Sequence, residues 1–151
     1  MDSGDRRRKP LTVLLVEDNH DHAELTLRAL KDAGALSDIV WVKDGEEALE
    51  YVGQRGRYQA QGVARPSLIL LDINLPKVSG HEVLRRIKGD PELQPIPIVM
   101  WTTAGRDDEV RSAYRAGVNS FVTKPIRFSE FTETMRALKL YWLTTCVLPE
   151  S

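Results

Sequence analysis

Residues 11–19 read Leu-Thr-Val-Leu-Leu-Val-Glu-Asp-Asn, and the break near the end of that stretch decides the fold. From Leu11 to Val16 the run is almost continuously apolar. It lacks the alternation of a strand that faces water on one side, which predicts a strand buried on both faces. The run stops at an acidic pair, Glu17-Asp18. Asn19 is then placed to cap a helix whose Ala23, Leu27 and Leu30 share one stripe, and Gly34 is placed to close that helix with a left-handed turn.

Working outward, the same strand-then-helix unit recurs. Residues 39–42 (IVWV) read as a second strand, followed by Asp44 and Glu47, a capping box for a helix to about Val52. Residues 67–71 (SLILL) form a third strand, and Ser79 with Glu82 caps a third helix bearing Val83, Leu84 and Ile87. A fourth strand spans 96–101, entered through Pro95 and Pro97, and a fourth helix spans 106–116 and ends at Gly117. Residues 120–122 are a short fifth strand before a long helix from about Phe128. Apolar strands alternating with helices predict a doubly wound α/β fold, a five-stranded parallel sheet flanked by five helices. Ligands of such sheets sit at the carboxyl ends of the strands.

At 151 residues and 42% hydrophobic content the chain can bury one core and is short for two ordinary domains. Basic and acidic groups nearly cancel, 21 against 22, so no overall field draws it to nucleic acid or an anionic membrane. Protein partners are expected instead. The lone Cys146 excludes an internal disulfide and a multi-thiolate metal cluster, which fits a reducing cytoplasm. No signal-peptide apolar stretch follows the polar DSGDRRRK of residues 2–9, and no window approaches the roughly 20 apolar residues of a membrane span. The expected organisation is a disordered basic tail at 1–10, one domain at 11–148 and no output domain. An inserted loop at about 53–66 (GQRGRYQAQGVARP) is read as exposed and mobile.

The residues just past the strands carry the chemistry. Glu17 and Asp18 follow the first, Asp72 the third, Thr102 the fourth, and Lys124-Pro125 the fifth. Three carboxylates in one pocket repel one another unless a cation sits among them, and oxygen ligands without His or Cys select Mg²⁺, for which Mn²⁺ can substitute. A carboxylate can attack a phosphoryl group and hold it as an acyl phosphate when the developing charge is neutralised. Lys124 offers a second positive centre and Thr102 a hydroxyl donor, leaving Asp72 as the acceptor. Helix caps and turns explain each residue singly; they do not explain the joint placement.

The segments VLLVEDN, LILLDINLPKVSG, IVMWTTA and FVTKP together resemble the hallmark segments of two-component response-regulator receiver domains, the CheY-like fold. The resemblance runs from Leu11 to the final helix. It implies phosphorylation of Asp72, direct metal ligation by Asp18, ligation largely through water by Glu17, and a metal-facing backbone carbonyl at Asn74. It also implies a switch hydroxyl at Thr102, a switch aromatic at Phe121, a phosphate-sensing Lys124 and a cis Lys124–Pro125 bond. Glu17 stands where Asp is commoner, and Ile126 follows Lys-Pro where Phe is usual. The long loop before the third strand and the VWVKDGEEALEYV segment resemble single-domain regulators paired with bacterial phytochromes, implying a sensor histidine kinase as partner.

Such a protein is a signalling domain rather than an enzyme, and its output must pass by contact to a downstream protein or phosphotransfer partner. The expected moving surface is the fourth helix, fifth strand and fifth helix. Phe131, Met135, Leu138 and Trp142 form the stripe of the last helix that faces the sheet; Leu140, Tyr141, Leu143, Val147 and Leu148 are extra apolar groups, which predict a homodimer through this surface. Ala104, two residues past Thr102, cannot orient a hydrolytic water, which predicts slow self-dephosphorylation. His20, His22 and His81 are read as surface residues. A haloacid-dehalogenase-like phosphohydrolase would need an acid at position 74, which is Asn, and a nucleotide-binding module would be repelled by Glu17 and Asp18. A phosphorylation-independent interaction domain would not need the complete reactive set.

Overall fold

The computed structural model describes residues 11–31, 37–103 and 105–149. The expected tail at 1–10, the Gly34 turn and Ala104 lie outside the described residues. The strands are β1 (Leu11–Val16), β2 (Ser37–Val42), β3 (Leu68–Leu71), β4 (Ile98–Thr102) and β5 (Ser120–Thr123). The helices are α1 (His20–Lys31), α2 (Gly45–Gly53), α3 (Gly80–Lys88), α4 (Asp107–Arg115) and α5 (Phe128–Lys139). All strand pairs are parallel, in the order β2-β1-β3-β4-β5. That order reverses between β1 and β3, the switch point of a flavodoxin-like sheet.

Because successive strand residues point to opposite faces, each strand feeds two cores. Leu14, Val16, Ile69, Leu71, Ile98 and Met100 pack with α2, α3 and α4. Val13, Leu15, Leu68, Leu70, Val99 and Trp101 pack with α1 and α5. Double coverage explains the uniformly apolar strands.

The caps form largely as their sequence suggests. Asn19 Oδ1 accepts from the His22 amide at 3.0 Å, and Ser79 Oγ accepts from Glu82 N at 3.2 Å. Asp44 Oδ1 accepts from Glu47 N at 2.7 Å, but Glu47 returns its bond to Lys43 N rather than to Asp44. β4 begins two residues later than expected, at Ile98. Pro97 has no N–H to give, although its carbonyl accepts from Ile69 N at 3.0 Å.

The 53–66 loop is largely exposed, as expected; it carries a 3₁₀ turn at Gly56–Tyr58 and is tied to α2: Tyr58 Oη donates to Glu47 Oε2 at 2.6 Å, Tyr51 Oη to the Ala64 carbonyl at 2.9 Å, and Arg57 pairs with Glu50 at 2.7 Å. After α5 the chain continues in a π-helical stretch, Leu140–Thr145. The wider π turn also brings Leu143 to the buried position that follows Phe131 and Met135, while Trp142 is half-buried against the same core. Leu148 is half-buried against the same core, so only Leu140, Tyr141 and Val147 of the extra apolar set are exposed.

Candidate phosphoacceptor site

Backbone bonds that continue past the strand ends set the site residues side by side. Glu17 N donates to the Val42 carbonyl, Asp72 N to the Val16 carbonyl and Lys124 N to the Thr102 carbonyl. The Trp41 indole adds a bond to the Glu17 carbonyl at 2.7 Å. Behind Asp72, Gly80 opens α3 with its N–H on the Ile73 carbonyl at 2.9 Å. A Cβ at Gly80 would overlap the Asp72 carbonyl oxygen, so only glycine lets α3 approach this closely.

The side chains then converge. Glu17 is 1% exposed, Asp72 7%, Thr102 0% and Lys124 2%. Thr102 Oγ1 donates to Asp72 Oδ1 at 2.8 Å, and Asn74 N donates to the same oxygen at 3.2 Å. Lys124 Nζ donates to Asp72 Oδ2 at 3.0 Å and makes a close ion pair with Glu17 Oε1. Glu17 Oε2 accepts from Asn19 N at 3.2 Å. Asp18 is exposed. Burial raises the Glu17 carboxyl from 4.5 to about 7, against the attraction of Lys124.

Ligand oxygens of Glu17, Asp18 and Asp72 lie within 4.8 Å of one another. An all-oxygen acidic set of this kind fits a hard divalent cation, and one exposed carboxylate gives it access. The cleft above the set, about 510 Å³, is lined among others by Asp18, His22, Asp72, Asn74 and Thr103.

Every expected reactive side chain is therefore at the site, and Thr102 is turned inward onto Asp72. Phe121 is half-buried, with its ring over Gly105, two residues before α4. Two residues were missed by sequence reasoning. Thr103 lines the cleft, and His22 is not a surface residue: it is half-buried with Nδ1 3.2 Å from Lys124 Nζ. Its place in the first turn of α1, directly after the acidic loop, was the available signal. His20 instead stacks edge-on against Trp41 at 5.0 Å. The Lys124–Pro125 bond is not cis, correcting that expectation. Trans is the intrinsically favoured isomer, and in it Lys124 already reaches both carboxylates.

Residues 13–136 match the response regulator receiver domain family. The chain belongs to that family. The receiver is 43% identical over 145 residues to the probable methanogenesis regulatory protein FilR2 of Methanothrix harundinacea, spanning 95% of this chain and 92% of that protein. It is 36% identical to response regulator Rcp1 of Synechocystis sp., over 96% of this chain and 97% of Rcp1. The Mn²⁺-bound structure of Rcp1 superposes with a TM-score of 0.89 at 36% identity, covering 93% of this chain and 100% of that one. The phosphorylated cyanobacterial phytochrome response regulator RcpA gives 0.89 at 38% identity, covering 94% and 100%. The receiver is thus homologous to phytochrome response regulators.

Proposed function

We propose that the receiver is a stand-alone response regulator that takes a phosphoryl group on Asp72 from a sensor histidine kinase of the phytochrome type. The observation that carries this reading is the Asp72 carboxylate held between a hydroxyl donor, Thr102, and an ammonium, Lys124, at the floor of an acidic cleft. In the transfer, an Asp72 oxygen forms the new O–P bond as the P–N bond of a kinase phosphohistidine breaks. The imidazole leaves with the electron pair and takes a proton from solvent. Thr102 and Lys124 then bond phosphoryl oxygens in place of the carboxylate.

Glu17, Asp18, Asp72 and the Asn74 carbonyl would hold Mg²⁺, with Mn²⁺ able to replace it; bound there, the ion neutralises charge on the phosphoryl oxygens. Both Glu17 oxygens already have protein partners, which supports ligation through water for this residue. The likeness to RcpA, a phytochrome response regulator, supports the phytochrome assignment, and that to Mn²⁺-bound Rcp1 supports the ion.

Output is assigned to the face of α4, β5 and α5, with Thr102 and Phe121 as the switch pair. Tyr114, Tyr141 and Val147 are exposed apolar groups on or just beyond these elements, which supports a homodimer through this face and contact with a downstream protein. Among the described residues no helix is long and apolar enough to cross a membrane. A cytoplasmic site of action completes the proposal.

The test is incubation with acetyl phosphate and Mg²⁺ followed by intact mass. One added phosphoryl group on the wild type and none on Asp72→Asn is expected; equal labelling of both overturns the assignment. Phosphotransfer profiling against phytochrome-type and other histidine kinases tests the partner. Sedimentation tests the dimer, and a monomer at high concentration in both phosphorylation states would rule it out.

A further inference from the structure

We propose that His22 is a positioning residue for Lys124: its Nδ1 accepts the third proton of the Lys124 ammonium and thereby aims the other two at Glu17 and Asp72. The kinetic consequence rests on the phosphoacceptor reading of Asp72, while the contact itself does not.

A lysine ammonium has three donors and no acceptor. The Lys124 side chain is fully buried, so a proton without a partner would be costly. Three acceptors surround Nζ: Glu17 Oε1, Asp72 Oδ2 at 3.0 Å and His22 Nδ1 at 3.2 Å. Because the ammonium can only donate, His22 Nδ1 must present its lone pair. That requires a neutral ring carrying its proton on Nε2. A protonated Nδ1, in the neutral Nδ1–H tautomer or in the imidazolium, would set two donors against each other.

Backbone and ring of His22 are each held. Asn19 Oδ1 caps the His22 amide at 3.0 Å, which fixes the start of α1. The buried Phe131 ring of α5 lies 5.8 Å away, tilted by 43°. His22 therefore joins elements separated by 102 residues through one hydrogen bond to Lys124. A lysine on a flexible four-carbon stem gains a single orientation before the phosphoryl group arrives, which is preorganisation of the charge that stabilises transfer.

Two measurements test this. Nitrogen-15 NMR of the wild type should show His22 as the neutral Nε2–H tautomer with an unprotonated Nδ1; the Nδ1–H tautomer would overturn the contact. Phosphoryl uptake from acetyl phosphate is then compared in wild type, His22→Leu and His22→Asn, with Asp72→Asn as the blank. His22→Leu should be about tenfold slower, the rate equivalent of one charge-assisted hydrogen bond. His22→Asn, whose side-chain oxygen can accept near the Nδ1 position, should stay within about threefold of wild type. Wild-type speed in the Leu variant, or equal slowing in both, overturns the positioning role. If the wild type itself takes up no phosphoryl group, the Asp72 reading fails instead, and the tautomer still decides the His22 contact.

Discussion

Thr102 Oγ1 and Asp72 Oδ1 are joined by a 2.8 Å hydrogen bond in which the hydroxyl donor is wholly shielded from water. The carboxylate oxygen has only one other protein donor in the described contacts, Asn74 N at 3.2 Å. The hydroxyl thus already lies where a phosphoryl oxygen on Asp72 would need a donor.

Replacing Thr102 with Val keeps the shape and removes that donor. Thr102→Val should lose about 1–3 kcal/mol of stability in urea titrations, because a buried carboxylate is left less satisfied. Thr102→Ser should recover most of the loss. A Val variant as stable as wild type would show that the bond adds nothing.

Lys124 sits between two buried carboxylates, Glu17 and Asp72. Lys124→Met should cost about 3–5 kcal/mol, since removing one partner leaves uncompensated charge. Adding Glu17→Gln to that variant should restore part of the loss. A saturating divalent cation should stabilise the single variant more than the wild type, by supplying the missing positive charge. Thermal and denaturant unfolding of wild type, the single variant and the double variant, with and without the ion, checks all three statements.

Tyr58 anchors the loop before β3, and burial followed by its bond to Glu47 pushes the phenol up to about 12. Since this lies above the ordinary 10.0, the bond stabilises the fold fully below pH 10.0 and the contribution is lost as pH rises through about 12. Tyr58→Phe should be about 0.5–1.5 kcal/mol less stable at neutral pH. That difference should shrink toward zero in strong alkali, and ultraviolet titration should show one late-ionising tyrosine missing from the variant.

Gly80 lets α3 rest against the backbone of Asp72 and Ile73. Gly80→Ala should cost about 1–3 kcal/mol through overpacking and should slow phosphoryl uptake by displacing Asp72. Unfolding curves and acetyl phosphate kinetics measured on one preparation test both parts; an unchanged rate would mean that the strain relaxes away from Asp72.

The strands, the helix starts and the polar residues at the strand ends could be read from the chain because they depend on local rules. Uniformly apolar runs such as residues 68–71 announce burial on both faces, and Asn19, Asp44 and Ser79 cap helices only a few residues away. Glu17, Asp18, Asp72, Thr102 and Lys124 were legible because strand ends of a parallel sheet converge whatever the helices do. Other features needed packing between distant parts. His22 meets Lys124 across 102 residues, Tyr58 finds Glu47 across 11, and the π turn that buries Leu143 answers to the core under α5. Propensity and periodicity act over one or two turns of chain, so they specify each element and its polar end. Which third partner a buried ammonium finds depends on how whole helices seat on the sheet, and that is settled only when the two cores close.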